Sequence, residues 1–234
     1  MATLPPFLIT ISAVARPRPD APPVMTATLS LRSTEIPPVR RGVKRGSIAK
    51  PGYTHVADYL GAIDGVTAGA DGLFKWLLEE TSWRTERLQM FGREVVVPRL
   101  VAWYGDPGVT YRYSGIEHRA GGWPSALLPL VESIRSEFAP GVNFLLLNRY
   151  RNGADAMGWH TDDEPEIADP VVSISLGATR RFHLRAQAGA ETLSLDLGHG
   201  ALLIHGRHCP HAVPRTRKVV GERINLSFRT VLVQ

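Results

Sequence analysis

Arg223-Ile224-Asn225-Leu226-Ser227-Phe228-Arg229 alternates strictly between polar and apolar side chains. On a strand, residues two apart point to one face. Ile224, Leu226 and Phe228 therefore share one side, and Arg223, Asn225, Ser227 and Arg229 the other. On a half-exposed strand those arginines would simply be solvated. In a barrel the polar face can turn inward, and two arginines there need an anion. Charge-assisted, forked contacts to it contribute roughly 1.5–3 kcal/mol each. Asn148 and Tyr150, in Leu147-Asn148-Arg149-Tyr150, are also two apart and suit the same pocket.

Outward from this strand, 143–150, 171–176, 181–185, 192–197, 201–205 and 223–233 read as strands. Short strands punctuated by glycine and proline argue a β-sandwich or barrel. Two helices precede all of them. Gly72–Glu80 places Leu73, Trp76, Leu77 and Glu80 on one side, with Asp71 suited to cap it. The second, 124–138, repeats the pattern through Leu127, Leu128, Val131, Ile134 and Phe138, and Pro129 suggests a start one turn after Pro124. Helices first and strands last is an α+β order, with the helices packed on one side of a β core.

With 234 residues and 44% apolar content, the chain can bury a core unaided. Its single cysteine, Cys209, excludes a disulfide framework and fits a reducing, cytoplasmic setting. No apolar run reaches eighteen residues, so no membrane span is expected. The net charge of +5 suggests a nucleic-acid partner, but its distribution is uneven. Residues 1–50 hold eight basic groups against Asp20 and Glu35, more than the whole excess. They also hold eight of the 18 prolines and show no periodicity. This reads as a basic, Pro-rich disordered tail before a domain spanning 51–234.

Trp159-His160-Thr161-Asp162 carries the first chemical signal. In an extended segment His160 and Asp162 face together, and one imidazole plus one carboxylate can chelate a divalent metal. His-x-Asp alone is common by chance and by itself reads more readily as a solvated polar loop. A third ligand must come from His199, His205, His208 or His211. Two histidines and a carboxylate with open positions suit non-haem Fe(II) oxygenases.

Together, Asn148-Arg149-Tyr150, His160-Thr161-Asp162, His211 and Arg223-x-Asn225-x-x-x-Arg229 resemble the AlkB-like Fe(II)/2-oxoglutarate-dependent dioxygenases over about 85–232. The resemblance implies a double-stranded β-helix core of jelly-roll or cupin-like form. It selects His211 as third iron ligand beside His160 and Asp162. It assigns Asn148, Tyr150, Arg223, Asn225 and Arg229 to 2-oxoglutarate, with Arg229 on the distal carboxylate and Arg223 nearer the metal. His199, His205 and His208 are then turn or surface residues, Asp163 is exposed, and Cys209 is packing.

The segment 84–119 resembles the nucleotide-recognition region of the DNA-repair branch. A base cannot be oxidised at a ring nitrogen substituent inside a duplex and must leave the stack. The resemblance makes Phe91 the wedge on a loop loosened by Gly92. Tyr113 stacks on the flipped base opposite His160, Tyr111 hydrogen-bonds to it, and Glu164 meets its exocyclic amine. The stacking position is often Phe in relatives. Arginines across 84–119 and 177–218 suit a phosphate-binding rim.

The implied reaction consumes O2 and 2-oxoglutarate at Fe(II) and hydroxylates the methyl group of 1-methyladenine or 3-methylcytosine. Formaldehyde, succinate and CO2 are released. The implied partner is alkylated DNA, with RNA as the alternative, and the protein acts as a monomer away from membranes. In the cytoplasm it would sit at the nucleoid, or else in a nucleus, according to source. Two other readings stand beside this one: an Fe(II)/2-oxoglutarate hydroxylase of a protein, lipid or small molecule, and a non-catalytic β-barrel binding module.

Overall fold

The computed structural model describes residues 47–50, 53–56, 69–90, 93–113, 115–185 and 190–232. The chain runs β1 (Ser47–Lys50), β2 (Tyr53–Val56), α1 (Gly69–Glu80), β3 (Arg84–Met90), β4 (Arg93–Gly105), β5 (Thr110–Tyr113) and β6 (Ile116–Arg119). A 3-10 turn, Ser125–Leu127, leads into α2 (Leu128–Glu137). There follow β7 (Phe144–Tyr150), β8 (Met157–His160), β9 (Ile167–Gly177), β10 (Arg180–Leu184) and β11 (Leu193–Leu197). Strands β12 (Ala201–His205), β13 (His211–Val213) and β14 (Arg223–Val231) complete the fold.

Eight strands form a large sheet in the order β1-β2-β12-β9-β14-β7-β4-β3, and four form a smaller one, β11-β10-β13-β8. Every pairing is antiparallel. Alternation decides what each face of the large sheet does. Leu145 and Leu147 of β7, Ile174 and Leu176 of β9, Leu202 and Ile204 of β12, and Ile224, Leu226 and Phe228 of β14 join one cluster. Leu73 and Leu77 of α1 and Leu130, Val131 and Ile134 of α2 pack onto it. Burying one such side chain contributes about 1.5–3 kcal/mol, so this layer holds both helices to the sheet. The opposite face turns toward the small sheet, where Tyr150 and Leu203 meet Phe182, Leu184, Leu195, Leu197 and Cys209.

The jelly-roll expectation and the one-sided helices are present, and the six expected strands lie within two residues of the observed ones, except that β9 begins four residues early. Pro129 sits in the first turn of α2, where its missing N–H costs nothing. The helices-then-strands order does not hold: β3 to β6 lie between α1 and α2. Their arginines and glutamates disguise strands whose pairing comes from β7 and from each other. Asp71 lies inside the first turn of α1, not at its cap, because the helix begins at Gly69 with φ 66°. Ser47–Lys50, placed by composition in the tail, pairs with β2. Residues 1–46, with the rest of the tail expectation, and Phe91 and Gly92 lie outside the described residues. No described helix is long and apolar enough to cross a membrane.

Candidate active site

The polar face of β14 is buried throughout: Arg223, Asn225, Ser227 and Arg229 are each less than one-tenth exposed. Strand register explains what they meet. Asn225 lies opposite Asn148 of β7 on one side and Ser175 of β9 on the other. Asn225 Nδ2 donates to Ser173 Oγ at 2.7 Å, and Arg223 Nη2 donates to Ser175 Oγ at 2.8 Å. The pairing of β14 with β9 shifts between Phe228 and Thr230, so Arg229 sits at a bulge. Such irregularities re-aim a side chain. Arg229 Nη2 donates to Asp162 Oδ1 at 2.8 Å.

Across the cavity, β8 and β13 place His160 directly opposite His211, with ring centroids 4.1 Å apart. Asp162 follows β8 and is pinned by its N–H to Arg207 O at 3.0 Å. One ligand atom from each of His160, Asp162 and His211 lies within 4.8 Å of the others. Each imidazole faces a backbone carbonyl through Nδ1: His160 to Gly158 O and His211 to Cys209 O, both at 2.9 Å. A carbonyl only accepts, so Nδ1 carries the proton and Nε2 keeps its lone pair for a metal. Two neutral nitrogens and a carboxylate suit Fe(II), and the donor set fits.

Electrostatics agrees. Burial, helped by neighbouring His211, lowers His160 to about 4. Burial, helped by His205, lowers His211 to about 4 as well. Burial pushes the Asp162 carboxyl upward, but Arg229 foremost, then His211 and His160, hold it well below the usual range. Burial pushes Arg229 down, and Asp162 more than restores it. Between the ordinary histidine value of 6.5 and about 4, the unfolded chain binds protons that the folded one refuses. The metal-free protein should therefore lose stability as pH falls through that window. Thermal unfolding at pH 7, 5.5 and 4.5 checks this, and His160→Gln should flatten the slope. A midpoint unchanged across the window would contradict it.

The cavity between the sheets measures about 120 Å³. Asn148, Tyr150, Asn225 and Arg229 border it together with the three ligands, and Tyr111, Tyr113 and Glu164 border it too. Arg223 does not; it lies behind Tyr150, its guanidinium carbon 5.3 Å from the ring centroid. The placement of the two arginines relative to Asp162 is the reverse of the expectation: Arg229 is beside that candidate ligand, and Arg223 is the remote one. Nε and Nη1 of both arginines are buried without a hydrogen-bond partner among the described residues. Unpaired buried cationic N–H groups are costly, and an anion with two carboxylates removes that cost.

His205 also departs from expectation. It is 3% exposed, borders the cavity and lies 4.7 Å from His211 between ring centroids. His205 alternates with Ile204 on β12 and so takes the inner face, a signal legible once 201–205 is read as a strand. His199 is half-buried and accepts from Gly177 N at 2.8 Å, while His208 and Asp163 are exposed. Cys209 is buried in the small-sheet cluster. Sequence reasoning missed Glu86 and His118 and placed Arg99 among the rim arginines. Arg99 is 3% exposed and donates from Nε to Asn148 Oδ1. Val97, Arg99 and Val101 alternate on β4, so an arginine on an apolar face was the available sign. Glu86 and His118 carry no such sign.

A family model described as the 2OG-Fe(II) oxygenase superfamily matches residues 53–229. Human DNA oxidative demethylase ALKBH2 is 36% identical over 214 residues, 80% of this chain and 80% of that protein. Human alpha-ketoglutarate-dependent dioxygenase alkB homolog 3 is 34% identical over 211 residues, 82% of this chain and 71% of that protein. A solved 2OG-Fe(II) oxygenase family oxidoreductase from Burkholderia pseudomallei superimposes with TM-score 0.52 at 18% identity, covering 76% of this chain and 84% of that one. That likeness is one of fold. With the superfamily match spanning most of the chain and AlkB-like relatives above 30% identity, the chain belongs to the 2OG-Fe(II) oxygenase superfamily, in its AlkB-like branch, and is an Fe(II)/2-oxoglutarate-dependent dioxygenase.

Proposed function

We propose that the protein demethylates N-alkylated bases in DNA, with 1-methyladenine and 3-methylcytosine as substrates and formaldehyde, succinate and CO2 as products. The observation that carries this reading is one cavity lined both by His160, Asp162, His211 and Arg229 and by the flat and hydrogen-bonding groups of Tyr111, Tyr113 and Glu164. Relatives named DNA oxidative demethylase support the choice of substrate.

In this reading His160, Asp162 and His211 ligate Fe(II). With 2-oxoglutarate and O2, the iron supplies the chemistry that hydroxylates a methyl C–H. Arg229 holds both Asp162 and the near carboxylate of 2-oxoglutarate. Asn148, Asn225 and Tyr150 line its path, and Arg223 behind Tyr150 takes the distal carboxylate. Tyr113 stacks on the flipped base, and Tyr111 and Glu164 read its edge. Burial pushes the Glu164 carboxyl upward, toward a form that donates as well as accepts. The two sheets exclude water from the reacting methyl group. Phe91, beside Gly92 in the sequence, serves as the wedge.

Mass spectrometry of methylated oligonucleotides after incubation tests this reading. Loss of 14 Da from 1-methyladenine or 3-methylcytosine DNA is the expected result, about one methylene per event. Phe91→Ala should slow this in duplex more than in single strands. Intact oligonucleotides beside a hydroxylated peptide or small molecule would transfer the enzyme to another substrate class.

A further inference from the structure

Tyr113 is held in a way that its stacking role does not require. Its hydroxyl donates to Glu86 Oε2 on β3. The other oxygen, Oε1, is 2.6 Å from His118 Nε2 on β6. His118 is fully buried and stacks on the Tyr113 ring, with centroids 4.6 Å apart and planes 12° from parallel. Trp103 closes over His118 edge-on at 4.6 Å. Three strands thus converge on one carboxylate that is 6% exposed. Apolar packing alone would hold a phenylalanine at this position, so the buried hydroxyl, carboxylate and imidazole ask for a reason.

Charge provides one. Glu86 accepts from a phenol and faces an imidazole nitrogen, and a carboxylate bonded to a phenol enriches the ring in electron density. An electron-rich ring face attracts a cation. Methylation at N1 of adenine or N3 of cytosine leaves the ring positively charged at neutral pH, whereas N3-methylthymine is neutral. Burial pushes Glu86 upward, but hydrogen bonds from His118 and Tyr113, with the charge of Arg99, hold it below the ordinary range and therefore ionised. Glu164, which borders the cavity, is pushed the opposite way by burial.

We infer that Glu86 and His118 are positioning residues that fix Tyr113 and make the part of its ring that borders the cavity select cationic alkylated bases over neutral ones. The inference rests on the base-pocket reading above. Glu86 touches no substrate; it acts through the Tyr113 hydroxyl. Glu86→Gln keeps a side chain of the same shape that can bond both neighbours, and removes the charge. Tyr113→Phe cuts the same link while leaving the Glu86–His118 pair in place.

The test is equilibrium binding of fluorescent single-stranded DNA to the Fe(II)- and 2-oxoglutarate-loaded protein without oxygen, so that no turnover occurs. One oligonucleotide carries 3-methylcytosine and its twin carries 3-methylthymine; an unmodified strand is the reference. The ratio of the two affinities should fall about 2- to 30-fold in Glu86→Gln, the range a cation–π contact covers. Tyr113→Phe should reproduce the fall, and the double variant should add little to it. Affinity for 2-oxoglutarate should stay at the wild-type value, a result that a merely loosened pocket would not give. An unchanged ratio in the folded variants overturns the inference while the pocket reading stands. If the wild-type protein fails to prefer either methylated strand over the unmodified one, the pocket reading itself falls, and the inference with it.

Discussion

Asp162→Ala should abolish Fe(II) binding and turnover and also cost the metal-free fold about 3–5 kcal/mol, because it strands a buried cation. The carboxylate has two duties: Oδ1 accepts from Arg229 at 2.8 Å, and Oδ2 lies 3.9 Å from His211 Nε2. Removing it leaves Arg229, 4% exposed, without its ion-pair partner among the described residues. His211→Ala removes a ligand but no charge partner, since burial already keeps that imidazole neutral. Denaturant unfolding without metal should therefore separate the two variants although both fail to bind Fe(II). Equal stability losses would mean that the Arg229–Asp162 pair does not carry the local electrostatics.

Arg223→Ala should raise the 2-oxoglutarate requirement roughly 10- to 100-fold, the loss of one charge-assisted contact, while leaving Fe(II) affinity near wild type. Arg223 donates to Ser175 Oγ at 2.8 Å, and its Nε and Nη1 are buried without partners among the described residues. Deleting a poorly satisfied buried cation spares the fold more than deleting a paired one. Arg229→Ala should instead weaken Fe(II) and 2-oxoglutarate together, because it releases Asp162. Anaerobic titrations of metal and co-substrate into each variant give both constants. If Arg223→Ala weakened the metal and Arg229→Ala did not, the assignment of ends would be reversed.

The strand that carries both arginines was readable because strict alternation fixes which side chains share a face, and burial of the polar face followed from needing a partner. The metal set was legible as a motif, yet its third member was open among four histidines. Only the antiparallel register of β13 against β8 puts His211, not a neighbour, opposite His160. Which arginine lies beside Asp162 was not legible, because alternation puts both on one face and only tertiary packing sets their distance from Asp162. Strands β3 and β4 were hidden by their charges: Arg87 and Glu94 pair across them on the exposed side. Glu86 and His118 sit 32 positions apart and meet only through tertiary packing. The +5 charge has its excess in residues 1–50 and says little about the cavity, which single buried groups line.

The most direct measurement of the central claim is succinate release by the Fe(II)-loaded protein at fixed 2-oxoglutarate and O2, with and without a 1-methyladenine oligonucleotide. The predicted result is a marked stimulation by the methylated strand alone, with formaldehyde appearing in equal amount and both products lost in His211→Ala. Succinate release indifferent to methylation, or stimulated only by peptides or small molecules, would contradict it.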